Sequence, residues 1–272
     1  MPSQPLLTDR VALLRNRARA TVGLLHDHAL CDVQERLQEV NRTFTTPAIV
    51  TGNSALWSVL GPCVQDDDVL ELPPGAHDLV IHALALHWSN DLVGQLIQCR
   101  RALQADGLFL GLMFGGQTLS ELRSALAEAE VDVTGGLSPR VLPMGEIRDL
   151  GALLQRAGFA LPVADSHVLT LAYRDAFHLM HDLRAMGEGN ALAARLRQPT
   201  RRHVFERAAA LLAERAAGPD GKILARFEII CLTGWGPSES QPKPLRPGSA
   251  TTRLADALRV RETPLPHGLL DG

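Results

Sequence analysis

Three stretches of the chain are apolar on consecutive residues: "PAIVTG" at 47–52, "HDLVIHALAL" at 77–86 and "LFLGLMF" at 108–114. Each is short for a helix and rich in branched or aromatic side chains, which predicts strands covered on both faces, as in a parallel sheet. Between the last two, "DLVGQLIQCRRALQADG" places Leu92, Leu96, Ile97 and Leu103 at helical spacing, with Asp106-Gly107 as its stop. Strand, helix, strand in that order predicts a right-handed parallel crossover. Upstream, residues 9–42 read as helix with Asp9 as cap, "NSALWSVLG" as about two turns and "PCVQ" as a short strand. Downstream, 118–130, 145–157, 175–186 and 200–216 read as helices. "HVLTLAY" reads as a strand, and "ILARFEIICLTGW" as a long last strand alternating between two faces. The pattern predicts a three-layer α/β sandwich. Three parts follow: a helical segment over 1–45, an α/β domain over 46–236 with a helical insertion around 175–216, and a Pro-rich extended tail over 237–272.

Composition narrows the function classes. With 46% hydrophobic and 21% charged residues in 272, the chain is of globular type, and a net charge of -3 gives no electrostatic footprint for nucleic acid. No apolar run has the roughly 18 residues of a membrane span. Cys31, Cys63, Cys99 and Cys231 are far apart without a C-x-x-C pair, which argues against zinc, an iron-sulfur cluster or a disulfide framework. They are the basis for expecting a reducing, bacterial cytoplasmic location. The Arg-rich start "MPSQPLLTDRVALLRNRARA" has the composition of a transit peptide and also the pattern of an amphipathic helix lying on the domain.

Ligands of open α/β sheets sit beyond the carboxyl ends of the strands, which picks out 51–54, 66–68, 87–91 and 114–118. His87 and Trp88 are the candidate catalytic pair there, an imidazole able to act as base and an indole able to wall a pocket. The competing reading has Trp88 capping the core and His87 bonded to a backbone carbonyl. His178 and His181 lie one turn apart on a helix, but no third ligand is near in sequence, so no metal is expected. "TGNSAL" is neither a Walker loop nor G-x-G-x-x-G, and no G-x-S-x-G elbow exists, which removes P-loop phosphoryl transfer and serine hydrolysis.

The stretch from "HDLVIHALAL" through "LSELRSALAEAE" resembles the second half of class I S-adenosylmethionine-dependent methyltransferases, among them the biotin-pathway malonyl carrier-protein methyltransferase. "GGLSPRVLPMGEIRDLGALLQRAGF", "LRAMGEGNA" and "SESQPKPLRPGSA" are similar to the methyltransferase-like assembly factors of respiratory complex I. The likeness covers about residues 6–250, including "LLTDRVALLRNRARA" as a folded beginning, against a cleaved leader. It implies a Rossmann-like sheet with an antiparallel last strand, and S-adenosylmethionine held at Gly52, Asn53, Asp66, Asp67 and His87. Arg140, Arg184, Glu188, Asn190 and Arg246, in or beside the shared motifs, are the candidates for substrate or partner contact. The partner implied is a protein, a complex I subunit or another iron-sulfur protein.

One region departs from that pattern. The family's first loop has two or three glycines, and "VTGN" has Gly52 alone; only Val50 to Gln65 separates Ile49 from Asp66, about one helix and one strand too few. Either "CVQDDD" aligns with the family's third strand and the ribose acid is absent, or it takes the second strand's place at the sheet edge with Asp66 or Asp67 as substitute acid. Two functions remain open: a methyltransferase-like protein with impaired or lost S-adenosylmethionine binding that acts on or with a respiratory-complex protein, and an active methyltransferase on a protein or small-molecule acceptor.

Overall fold

The computed structural model describes residues 6–21, 23–242 and Asp256. The expected tail, and Arg246 within it, lie almost wholly outside the described residues. The described residues up to Ser238 form one compact unit.

The elements are α1 (Arg10–Arg17), α2 (Leu24–Glu39), β1 (Pro47–Thr51), α3 (Ser54–Trp57), β2 (Cys63–Val64) and β3 (His77–Ala83). A single 3-10 turn over Leu86–Trp88 follows, then α4 (Leu92–Ala102), β4 (Leu103–Gly115), α5 (Ser120–Thr134) and α6 (Ile147–Ala157). The chain continues as β5 (Ala160–Tyr173), α7 (Ala176–Ala185), α8 (Arg202–Arg215) and β6 (Ile223–Trp235). The strands form one sheet in the order β2-β1-β3-β4-β6-β5. β1 to β4 run parallel, while β6 runs antiparallel to both β4 and β5. This is the Rossmann-like three-layer α/β sandwich expected from the sequence, with its antiparallel last strand.

Apolar side chains of α2, α5, α7 and α8 cover one face of the sheet, where Leu25, Val33, Leu122, Leu179 and Leu211 pack on Ile81, Leu110 and Ile229. Side chains of α4 and α6 cover the other, where Leu96, Leu150 and Leu154 pack on Val80, Phe109 and Leu232. A third, smaller cluster joins Leu13 of α1 to Trp88 and Leu192, and so fixes α1 against the carboxyl ends of the strands.

The structure decides between the two placements of "CVQDDD". β2 pairs in parallel with the outer side of β1, Ile49 opposite Cys63 and Val50 opposite Val64. It therefore occupies the second strand's place, at the sheet edge, shortened to two paired residues. α3 is a single turn, because Gly61 and Pro62 follow it at once and must feed β2.

Several boundaries differ from the sequence expectation: β5 begins at Ala160, ahead of "HVLTLAY", β4 begins at Leu103, and α5 runs over Ser120–Thr134. The helix expected over 9–42 is broken between α1 and α2, since Thr21 N–H donates to Ala185 O at 2.7 Å and a Cβ on Gly23 would overlap Met186. Packing against the end of α7 overrides local helical preference there. α4 stops at Ala102, ahead of Asp106-Gly107, because Leu103 already pairs with His77. Asp106 then turns with φ 62° and donates its N–H to Gly236 O.

Candidate functional site

Two cavities open at the carboxyl ends of the parallel strands, where sheet geometry places ligands. The first, about 310 Å³, is lined by Arg17, His26, Leu84, Met186, Glu188 and the turn after β1, Gly52 to Ala55. The second, about 240 Å³, is lined by His87, Trp88, Phe114, Phe205, Phe227, Met180 and Leu183, with Arg140, Arg184, Glu188 and Asn190 among its polar residues. Glu188 lines both.

At the first cavity α1 has moved into the place that the resemblance assigns to the cofactor. Arg17 lies over the β1 turn so closely that a Cβ on Gly52 would overlap its guanidinium. Its Nη1 donates to Asp66 Oδ1 at 2.6 Å, Arg10 reaches Asp66 Oδ2 at 3.3 Å, and Gln65 Nε2 adds a bond at 2.9 Å. Asp66 is 1% exposed. Burial alone would raise its carboxyl pKa, but the charges and hydrogen bonds of Arg17 and Arg10 outweigh that and hold it below the ordinary value. Asp67 points outward and pairs with Arg10 at 3.0 Å. Asn53 donates its backbone N–H to Thr51 Oγ1, which closes the turn tightly. As arranged, these residues do not fit S-adenosylmethionine: the acid that would take the ribose is engaged by two arginines, and the approach that Gly52 allows is used by one of them. Arg10 and Arg17 escaped the sequence reading, although seven residues on one helix put them on the same face, two turns apart.

Behind this pair, His82 of β3 is fully buried, with Nε2 2.8 Å from Gln95 Oε1 and Nδ1 without a partner among the described residues. Burial pushes its pKa down to about 4 against the pull of Asp66, so the ring is neutral at pH 7. His26 is held down by burial in the same way, opposed by the charge of Glu188.

The second cavity gathers the chemistry predicted after β3 and in "LRAMGEGN". Glu188 Oε2 accepts from Trp88 Nε1 at 2.7 Å and sits 3.2 Å from His87 Nε2. Burial would raise the Glu188 pKa, yet the charge and hydrogen bond of His87, with the charges of Arg17 and His26, hold it below the ordinary value. It is a buried carboxylate with one oxygen satisfied, and Oε1 makes no hydrogen bond among the described residues. His87 therefore does not bond a backbone carbonyl, and Trp88 both joins the core and uses its N–H on Glu188. The His87 ring stands 5.0 Å from that of Phe114, so an aromatic wall faces the carboxylate.

The other candidates divide by their bonds. Arg140 is spent on Glu130, 2.6 Å away, and on Thr200 Oγ1 at 2.9 Å, so it braces the "LSPR" loop. Asn190 donates to Pro139 O and accepts from Leu192 N–H, and is likewise engaged. Arg184 is exposed, and its side chain makes no hydrogen bond or ion pair among the described residues. His178 and His181 join no cluster of three metal-binding side chains among the described residues.

No family model matches the chain. A rat protein named arginine-hydroxylase NDUFAF5, mitochondrial, is 40% identical over 198 residues, covering 73% of this chain and 57% of that protein. A malonyl-[acyl-carrier protein] O-methyltransferase of Halorhodospira halophila is 32% identical over 220 residues, 80% of this chain and 70% of that enzyme. The chain belongs to the class I S-adenosylmethionine-dependent methyltransferase superfamily. The YcgJ protein of Bacillus subtilis, at 12% identity and a TM-score of 0.50 over 78% of this chain and 99% of that one, shares its fold. Within this superfamily the chain is related to the NDUFAF5 proteins, of whose rat member it spans little more than half the length. The comparisons overturn the bacterial cytoplasmic location, because the relatives from rat, zebrafish, human and Dictyostelium discoideum are all named as mitochondrial. Cysteine usage reports redox conditions and not an address, which is why it misled.

Proposed function

We propose that this chain is a methyltransferase-fold protein whose S-adenosylmethionine site is closed by α1 and whose remaining cavity engages a basic side chain of a protein partner. One contrast carries this reading: Arg17 covers Gly52 beside the first cavity and is paired with Asp66, while Glu188, which also lines the second, keeps an Oε1 that makes no hydrogen bond among the described residues. A buried carboxylate between an indole and further aromatic rings suits a guanidinium or ammonium, which gains a charge-assisted hydrogen bond and the ring faces together. The rat relative's name, arginine-hydroxylase, supports a guanidinium. Relation to that family supports a respiratory complex I subunit, or another iron-sulfur protein, as the partner. Binding and orientation of the side chain are what the His87–Glu188 pair accounts for.

Titration calorimetry with S-adenosylmethionine and S-adenosylhomocysteine tests the cofactor half. The expected result is no saturable heat below millimolar ligand, and micromolar binding overturns it. The remaining volume beside Gly52 favours one second reading, in which Arg17 swings off Asp66 and holds the cofactor's carboxylate; micromolar binding that is lost in Arg17→Ala would establish that instead. Capture from solubilised membranes tests the partner half, and recovery of no respiratory-complex subunit counts against it.

A further inference from the structure

Arg184 and Glu188 stand four residues apart, the spacing at which opposite charges on a continuous helix neutralise each other. Here they do not meet. α7 ends at Ala185, and Gly187 turns the chain with φ 81°, its Cβ-less face packed on Arg17 at the end of α1 and on Ala20 just beyond it. That turn sends Glu188 inward onto Trp88 and His87 and leaves the Arg184 side chain on the same cavity wall without a partner among the described residues. Arg140 and Asn190, the neighbouring polar residues, have their polar groups committed elsewhere. The cavity is therefore dipolar, with an anion at its inner junction and a free guanidinium on its exposed side.

We infer that Arg184 is a specificity-determining residue that reads an acidic side chain close in sequence to the basic residue bound by Glu188. This rests on the proposed reading of the cavity and adds a second requirement to it. A guanidinium offers a planar, bidentate fork for a carboxylate, so the favoured ligand is a peptide segment carrying an arginine followed within a few residues by Asp or Glu. A lone basic side chain satisfies only half of the site, and an acidic segment without the base meets the Glu188 charge.

Fluorescence anisotropy on short labelled peptides tests this with the full chain. The probes are a neutral peptide with one arginine and an aspartate one, two or three residues after it, the same peptides with asparagine for aspartate, and the same with citrulline for arginine. For at least one spacing, wild type is expected to bind the aspartate form about tenfold more tightly than the asparagine form, the size of one charge-assisted hydrogen bond. Arg184→Ala is expected to lose that preference while keeping the preference for arginine over citrulline. Arg184→Glu is expected to reverse it in favour of the asparagine form. Arg184 is exposed, so both variants should melt with wild type, which the same samples report. Equal binding of aspartate and asparagine forms at all three spacings, with citrulline still discriminated, overturns the role of Arg184 and leaves the proposed site standing. Equal binding of arginine and citrulline forms overturns the reading of Glu188. An aspartate preference that survives in Arg184→Ala assigns the acid to another group and overturns the inference, and no binding of any peptide at millimolar concentration overturns both.

Discussion

Replacing Arg17 with alanine separates a plug from a ligand. The guanidinium is bonded to Asp66 at 2.6 Å, with side chains 10% and 1% exposed, so the pair is buried. Removing one partner of such a pair typically costs ~3–5 kcal/mol, because the other charge is left without compensation. The low end applies here, since Arg10 remains 3.3 Å from the same carboxylate. Arg17→Ala should therefore lose about 3 kcal/mol, a fall in Tm of roughly 6–12 °C for a chain of this size. A ligand that needs the space over Gly52 must break the pair in wild type, and that cost is already met in the variant. About 3 kcal/mol corresponds to roughly a hundredfold in Kd, so S-adenosylmethionine should bind Arg17→Ala at least tenfold more tightly, the remainder lost to relaxation of the emptied site. Calorimetry at a temperature well below the lowered Tm reads the effect. Unchanged or weaker binding in a folded variant refutes the reasoning and makes Arg17 either irrelevant to the cofactor or one of its holders.

The buried histidine sets a pH dependence. His82 has a folded pKa of about 4 against an ordinary 6.5, so the unfolded chain binds the extra proton. Its stabilising contribution is complete above pH 6.5 and falls as pH drops towards 4, by ~3 kcal/mol in total. Urea unfolding over that window should show this slope, and His82→Gln should flatten it. Asp66 acts lower: its folded pKa is depressed, so its contribution is present above the ordinary carboxyl range and is lost as pH falls through the folded value. Glu188→Gln retains an oxygen for Trp88 but no charge, so binding of an arginine peptide should weaken at least tenfold while the protein stays folded, as anisotropy and a melting curve will show. Arg140→Ala breaks a buried pair with Glu130, so melting should show a loss of ~3–5 kcal/mol, and any loss of peptide binding should return on cooling to where the variant is folded.

The apolar runs at 47–52, 77–86 and 108–114, and the alternation over 223–235, placed β1, β3, β4 and β6 because period and length depend on local sequence alone. The same runs end where sheet geometry puts a ligand, so the positions of His87, Trp88 and Gly52 on cavity walls at the strand ends were legible. Glu188 and Arg184 were found through a shared motif, but their opposite fates were not. One is turned inward to meet Trp88 and the other left free by the φ of Gly187 and its packing on α1, a contact between segments more than a hundred residues apart in sequence. The place of β2 was open in the sequence and settled by its pairing with Ile49 and Val50. Arg17 carried no sign in sequence of its proximity to Gly52 and Asp66. Periodicity records which face of an element is apolar; whether a charged residue on the other face meets water, a ligand or a buried carboxylate depends on what the rest of the chain brings opposite it. For this protein the sequence determined the scaffold, and tertiary packing decided that Arg17 lies over Gly52 and pairs with the buried Asp66.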